Sequence, residues 1–244
     1  MCPLQQEIPW RGRVKTAADA VRFIDAAGYC LLFPVKNAAL PSLYYAMVRR
    51  VPITWDEYAA KLWEWKDNFP RRRRAFYSKY FHGRGTFISL KLLPHFLAME
   101  GSSLAAGGHG RLYAAGRITA DACAVWEALE QHGPLATLEL RHACKMESTA
   151  GNKRFKRAML ELSRALVVVH FGAEQETGAW ASSRFELTTR AFPKEAAAAR
   201  GLTVEAAREA VAKKYLAWHP EAQPQVLARL FRWTKAEAAE AMKM

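Results

Sequence analysis

The chain has 244 residues, of which 51% are hydrophobic and 24% are charged. This balance is typical of a folded globular protein and excludes a disordered or fibrous chain. The 36 Lys and Arg residues outnumber the 23 Asp and Glu residues, so the net charge at pH 7 is +13. An excess of this size indicates a polyanionic partner, either nucleic acid or, as the less frequent alternative, an anionic membrane surface.

The four cysteines show neither Cys-x-x-Cys pairs nor the Cys and His spacing of a zinc site, so we expect no metal. Residues 1–15 are too polar for a signal peptide. We therefore expect an intracellular protein whose cysteines are reduced thiols. No run of about 18 apolar residues predicts a helix that crosses a membrane.

The N-terminal part predicts an irregular segment, residues 1–15, and then a helical module with short strands, residues 16–100. Thr16 begins the pattern of a capping box, and Gly28 is suited to end the helix that follows. Residues 29–35 form an apolar run of strand length.

A second capping pattern, Thr54 to Glu57, predicts a helix that Pro70 should end, because proline disfavours a helical residue before it. Residues 86–90 are a short strand candidate. Residues 101–118 are rich in glycine and predict a linker.

Residues 119–193 have the pattern of a winged-helix module. Three residues that favour helix N-termini open three predicted helices: Thr119, Thr137 and Asn152. A strand over residues 166–171 and a returning strand over residues 183–187 follow. Three helices and a hairpin are the order of a winged helix, and a generic α+β packing unit is the alternative.

Residues 194–244 predict further helices that resemble half of another helix-turn-helix. The predicted fold class is therefore mostly α with short β hairpins (α+β), arranged as tandem winged-helix or helix-turn-helix modules.

The third helix of the winged-helix pattern is strongly basic. In a helix-turn-helix, this helix docks in the major groove, where cations neutralise phosphates or read guanine edges. A solvated basic face on a packing helix is the alternative. The candidate DNA contacts on this helix are Lys153, Arg154, Lys156, Arg157 and Arg164.

A second basic cluster consists of Arg71, Arg72, Arg73 and Arg74. The aromatic residues Phe76, Tyr77 and Tyr80 follow it closely. Positive charge beside aromatic rings suits a nucleic-acid backbone with an unstacked base. The alternative is that the aromatic rings belong to the core and the arginines are merely exposed.

Lys66 and Asp67 lie among several aromatic residues and are weak catalytic candidates. Removal of a base needs an activated water or an amine nucleophile at the sugar carbon, and a carboxylate to stabilise developing positive charge. The alternative is structural, because adjacent helical residues point about 100° apart. No Ser-His-Asp order, P-loop or dinucleotide-binding fingerprint is present.

Four segments carry a resemblance to a known family: residues 28–35, 133–135, 155–169 and 184–193. In this order and spacing, the chain resembles the AlkZ-like winged-helix proteins, and in particular their shorter AlkZ-related branch. That family includes bacterial DNA glycosylases that act on alkylated bases and interstrand crosslinks. The resemblance implies tandem winged helices with a concave, basic surface around DNA, and no metal or organic cofactor.

The resemblance fails at the catalytic motif. In the glycosylases, Gln-x-Gln or Gln-x-Asp precedes a Pro-Val pair and positions the attacking water. The matching residues are Leu31 and Phe33, neither of which can hydrogen-bond a water through its side chain. Their apolar side chains fit the local core, and stacking on an extruded base is the alternative.

We therefore expect a bacterial, cytoplasmic, nucleoid-associated monomer that binds double-stranded DNA, intact or alkylated. One alternative is an active, divergent glycosylase whose catalytic groups are Asp67 and Lys66. The other is a winged-helix transcriptional regulator, which would bind one operator far more tightly than other sequences.

Overall fold

The structure is a computed structural model that describes residues 10, 12–35, 38–49, 53–101, 108–175 and 181–243. It is mostly helical with two small antiparallel sheets, so the predicted α+β class is confirmed. In chain order, the elements are α1 (Ala17–Ala27), β1 (Tyr29–Leu31), α2 (Leu43–Val48), α3 (Glu57–Arg71), β2 (Phe76–Ser78), β3 (Thr86–Ile88), α4 (Leu93–Glu100), α5 (Gly108–Ala114), α6 (Ala120–His132), β4 (Leu135–Ala136), α7 (Thr137–Ala143), α8 (Thr149–Arg164), β5 (Val168–Glu174), β6 (Ser182–Leu187), α9 (Thr188–Ala191), α10 (Pro193–Ala199), α11 (Val204–Leu216), α12 (Pro224–Phe231) and α13 (Lys235–Ala241).

The first sheet has the strand order β1-β3-β2, with Phe87 of the central strand opposite both Cys30 and Tyr77. All three strands are fully buried, as their apolar composition predicts. The first strand is shorter than the predicted range 29–35. It ends at Leu31 because the chain bends before Pro34, which has no N–H to extend the ladder.

Helix α3 differs from its prediction at both ends. Asp56 is its N-cap rather than Thr54, and the Asp56 Oδ1 atom accepts hydrogen bonds from the amides of Tyr58 and Ala59. The helix continues through Pro70 to Arg71. This extension places the first arginine of the predicted basic cluster on the helix itself.

The predicted three helices and hairpin of residues 119–187 are present as α6, α7, α8, β5 and β6. The short strand β4 joins the hairpin, and the sheet order is β4-β6-β5. These elements enclose a core of their own, to which α8 contributes Phe155, Met159 and Leu162. Helix α8 begins earlier than predicted, because Ser148 rather than Asn152 is its N-cap. The Ser148 Oγ atom accepts the amide of Gly151 at 3.0 Å.

The N-terminal and C-terminal parts share one hydrophobic core. The Tyr29 ring lies 5.5 Å from that of Phe96, 5.6 Å from that of Trp218 and 5.8 Å from that of Phe231, measured between ring centroids. Val169 of β5 also belongs to this core. The hairpin is therefore in contact with both cores of the molecule.

The range predicted as a linker includes helix α5, and residues 102–107 of that range lie outside the described residues. Within the described part of the chain, no helix is long and apolar enough to cross a membrane.

Candidate functional site

Leu31 and Phe33, the residues that the resemblance aligns with the catalytic motif, have different surroundings. Leu31 ends β1 and is 1% exposed, and its amide donates to the Pro41 carbonyl at 2.8 Å. Phe33 is half-buried, with its ring centroid 5.5 Å from that of Tyr44. Leu31 therefore offers no surface to a base, and neither side chain supplies a hydrogen bond to water.

The arginine cluster lies at the end of α3 and is exposed. Arg73 donates from Nε to the Ala191 carbonyl at 2.9 Å, so it joins α3 to the segment after the hairpin. The Arg71 side chain lies against Gly172 of β5. Arg72 and Arg74 belong to the same exposed turn.

The aromatic residues after this cluster do not form a stacking platform. Phe76 is fully buried, and Tyr77 and Tyr80 are each 3% exposed. The suggestion that they contact an unstacked base is therefore wrong, because their rings are part of the core.

Helix α8 exposes four of its five predicted basic residues, whereas Arg164 is half-buried. Two of the exposed residues already have partners. Arg154 donates from Nε to Oδ2 of Asp121 at 2.8 Å, and Arg157 donates from Nε to Oε1 of Glu161 at 3.0 Å. Exposed ion pairs of this kind are weak and can exchange partners with a phosphate. Lys153 and Lys156 are exposed on the same helix.

The turn between β2 and β3 adds a cation that the sequence analysis missed. Lys79 is exposed, but the surrounding protein and then the charge of Lys156 lower the pKa of its ammonium group. Gly83 of the same turn lies against Leu160 and Arg164 of α8. The turn therefore extends the basic surface of α8. We call Lys79, Lys153 and Lys156 the lysine surface.

Lys66 and Asp67 are both turned inward, although they are adjacent on α3. Lys66 is 3% exposed and Asp67 is 6% exposed. The Lys66 Nζ atom donates to Oδ2 of Asp67 at 2.5 Å and to Oγ of Ser183 at 2.9 Å. His170 Nδ1 lies 3.0 Å from Oδ1 of Asp67. These four residues, which we call the polar cluster, join α3 to both strands of the hairpin.

Burial and charge set the protonation states in the polar cluster. Burial lowers the pKa of His170 to about 4, despite the hydrogen bond with Asp67. Burial alone would raise the pKa of Asp67, but the hydrogen bond from His170 and the Lys66 ammonium hold it below its ordinary value. At pH 7, Asp67 is therefore ionised and His170 is neutral. Because a carboxylate only accepts, the imidazole proton lies on Nδ1.

Lys66 experiences opposing influences. Burial lowers the pKa of its ammonium group, whereas Asp67 raises it. The charge of Lys79 also lowers this pKa, and the net effect is a pKa below the ordinary value. Because the charge of Lys79 contributes to the lowered pKa of Lys66, the polar cluster is close to the lysine surface. A buried amine with a lowered pKa and an adjacent carboxylate has the composition of a nucleophile or proton-transfer site.

Aromatic rings surround the polar cluster. Tyr77 and Phe185 each present their rings nearly perpendicular to that of His170, at centroid distances of 4.9 and 4.8 Å. The Lys66 ammonium lies 4.6 Å from the ring centroid of Trp63. Trp63 is 45% exposed and is in contact with Trp55, which is 62% exposed. The Lys66 amine is therefore in contact with a partly exposed indole ring.

The sequence analysis identified Lys66 and Asp67 but assigned no role to His170 or Ser183. The available signal was the position of His170, the one polar residue in the apolar run Val167 to Phe171. Among the described residues, no group of three or more His, Cys, Asp or Glu side chains has the arrangement of a metal site.

Residues 14–232, most of the chain, match the protein family described as AlkZ related. The chain therefore belongs to the AlkZ-related family. No curated protein and no solved structure matches the chain.

Proposed function

We propose that this AlkZ-related protein binds duplex DNA, intact or alkylated, with α8 in the major groove. The order of elements from α6 to β6, with the strand order β4-β6-β5, supports a winged-helix unit in which α8 is the groove-binding helix. The partial helix-turn-helix of the C-terminal segment is proposed as the second module of a tandem. A monomer remains the proposed form.

The lysine surface is the observation that carries this proposal. Lys79, Lys153 and Lys156 are exposed, and no carboxylate of the described residues is within ion-pair distance of them. Like charges that crowd together without counter-ions destabilise one another, whereas a phosphate backbone neutralises them and releases its own cations. Arg154, Arg157 and Arg164, together with Arg71, Arg72, Arg73 and Arg74, extend the proposed contact area.

The test is the salt dependence of binding to a labelled duplex. Each lost phosphate contact reduces the slope of log K against log salt by about 0.9. The double variant Lys153→Ala/Lys156→Ala should bind more weakly, with a slope shallower by about 2. The control Lys15→Ala/Lys91→Ala removes the same charge from exposed positions outside α8 and the C-terminal segment, and it should leave the slope unchanged. An equal loss of affinity and slope in both double variants would mean that only net charge matters. It would refute α8 as the DNA-binding surface.

The polar cluster favours a second candidate function, excision of alkylated bases with Asp67 as the carboxylate. An ionised carboxylate in a site of low dielectric stabilises the positive charge that develops on the sugar as the glycosidic bond breaks. The purified protein, mixed with a duplex that contains an alkylated purine, should then leave alkali-labile sites. Asp67→Asn should abolish them, and full base loss in that variant would exclude Asp67. Tight binding to one sequence alone would instead favour a transcriptional regulator.

A further inference from the structure

We propose that Lys66 forms a covalent imine with the aldehyde of an abasic site in DNA. The inference rests on the proposed DNA binding, but it does not require that the protein itself removes a base. Its basis is the position of one primary amine, which is hydrogen-bonded to a carboxylate, contacts a partly exposed aromatic ring and is near a surface suited to phosphates.

The surroundings of Lys66 are those of a reactive amine rather than of an ordinary surface lysine. The nearest hydrogen-bonding groups are the Asp67 carboxylate at 2.5 Å and the Ser183 hydroxyl at 2.9 Å. Exposed lysines, in contrast, remain protonated in water and are poor nucleophiles. Burial of the ammonium favours the neutral, nucleophilic form, and the carboxylate can accept the proton that must leave.

Lys66 and Asp67 together supply the nucleophile and the proton transfers that imine formation needs. Asp67 takes a proton from the Lys66 ammonium, and the free Nζ attacks the C1′ aldehyde carbon of the ring-opened sugar to form a carbinolamine. The proton returns from Asp67 to the departing hydroxyl, and water leaves as the C=N bond forms. Two of the three ammonium protons leave with the aldehyde oxygen as water. The third remains on the positively charged imine nitrogen, which stays paired with Asp67.

Access to the amine depends on Trp63. Its ring centroid lies 4.6 Å from the Nζ atom and the side chain is 45% exposed, so imine formation requires that this side chain rotates away from the amine when DNA binds. Exposed side chains change rotamer within nanoseconds. The departing ring gives up one cation–π contact with the Lys66 ammonium.

An abasic nucleotide suits this entrance better than a normal nucleotide. It has no base to unstack, so its extrusion from the duplex costs less. It has no base to fit past Trp63 and Trp55, and the two indole rings can occupy the space of the missing base. The phosphates on either side of the abasic sugar carry negative charge, and Lys79 lies near enough to Lys66 to influence its pKa.

The test is chemical trapping with sodium borohydride, which reduces an imine to a stable amine. The full-length protein is incubated with a duplex that contains one abasic site, reduced, separated on a denaturing gel and digested for peptide mapping. The expected result is a one-to-one covalent adduct on Lys66. A duplex with a tetrahydrofuran analogue, which lacks the aldehyde, should bind without forming an adduct.

Two matched variants show which amine reacts. Lys66→Arg keeps a cation beside Asp67 but removes the primary amine, and it should reduce the trapped adduct at least tenfold. Lys61→Arg makes the same change at an exposed position on α3 and should leave the yield unchanged. If Lys66→Arg fails to fold, mapping of the wild-type adduct still decides the question.

Four results would overturn the inference. An adduct on Lys79, Lys153 or Lys156 would show reaction with the nearest surface amine. An undiminished yield in folded Lys66→Arg would have the same meaning. Binding to the tetrahydrofuran duplex without any adduct on the abasic duplex would refute the imine and leave DNA binding intact, whereas no binding to either duplex would refute both proposals.

Discussion

Acidification should destabilise the folded chain through His170. Burial lowers the pKa of this imidazole from 6.5 to about 4. Between these two values, the unfolded chain binds a proton at this position and the folded chain does not. The free energy of unfolding therefore falls as the pH drops through 6.5, and this loss is complete below about pH 4. A pKa difference of this size corresponds to about 3 kcal/mol, of which about 2 kcal/mol is lost between pH 7 and pH 5.

The variant His170→Asn isolates this effect. The asparagine Nδ2 atom is a neutral donor at the place of the imidazole Nδ1, so it can keep the hydrogen bond to Asp67 without a group that titrates. Urea unfolding is measured for both proteins at pH 7 and at pH 5. Asp67, with its lowered pKa, stays ionised across this range. The two proteins share every other titratable group, so the comparison isolates the contribution of His170.

The wild-type protein should lose about 2 kcal/mol more than His170→Asn between pH 7 and pH 5. The wild-type protein is expected to be the more stable of the two at pH 7, because Asn fills less of the space beside Tyr77 and Phe185. Parallel losses in the two proteins would show that His170 titrates in the folded state as it does in water. The account of a neutral, buried imidazole would then be wrong.

Three further predictions concern packing and caps. Gly151→Ala should destabilise α8, although alanine favours helices. A Cβ at this position would lie 2.7 Å from the Met146 backbone, and thermal unfolding measures the resulting loss of stability. Ser148→Ala removes the N-cap of α8 and should cost about 1 kcal/mol in urea unfolding, whereas Ser148→Asp should cost little. Phe231→Ala should cost about 3–5 kcal/mol and should unfold the N-terminal and C-terminal parts together, as hydrogen exchange would show.

The helices were the most predictable part of the fold. The apolar spacing of Phe155, Met159 and Leu162 predicts α8, and these residues form its buried face. The position of its first residue was harder to predict, because both Ser148 and Asn152 are good caps. The structure uses Ser148 because Gly151 allows the first turn to pack closely against Met146. That close approach joins residues five apart at the start of the helix, and helix propensity alone does not reveal it.

The shared core could not be predicted from local patterns. Tyr29 packs against Trp218 and Phe231, which lie about two hundred residues later in the chain. Each of these residues is aromatic, but apolar periodicity indicates only that a face is buried and not what covers it. Contacts of this range are set by how the elements pack together.

The polar cluster was predictable only in part for the same reason. Lys66 and Asp67 diverge by about 100° around α3, which argued against a joint role. Both nevertheless have a partner, because the hairpin crosses α3 and supplies His170 on one strand and Ser183 on the other. The sequence contains each of these residues, but the crossing that unites them depends on the tertiary fold.

The polar cluster is difficult to explain by stability alone. Removal of two charges from water costs several kcal/mol per ion, and well-packed apolar residues at such sites are often as stabilising as a buried ion pair. The surrounding rings of Trp63, Tyr77 and Phe185 show that the site is otherwise suited to apolar side chains. A role in the chemistry of a bound ligand gives a reason for a buried amine and carboxylate here. Because Leu31 and Phe33 supply no polar group, any such chemistry in this member of the family must come from the polar cluster or from another part of the chain.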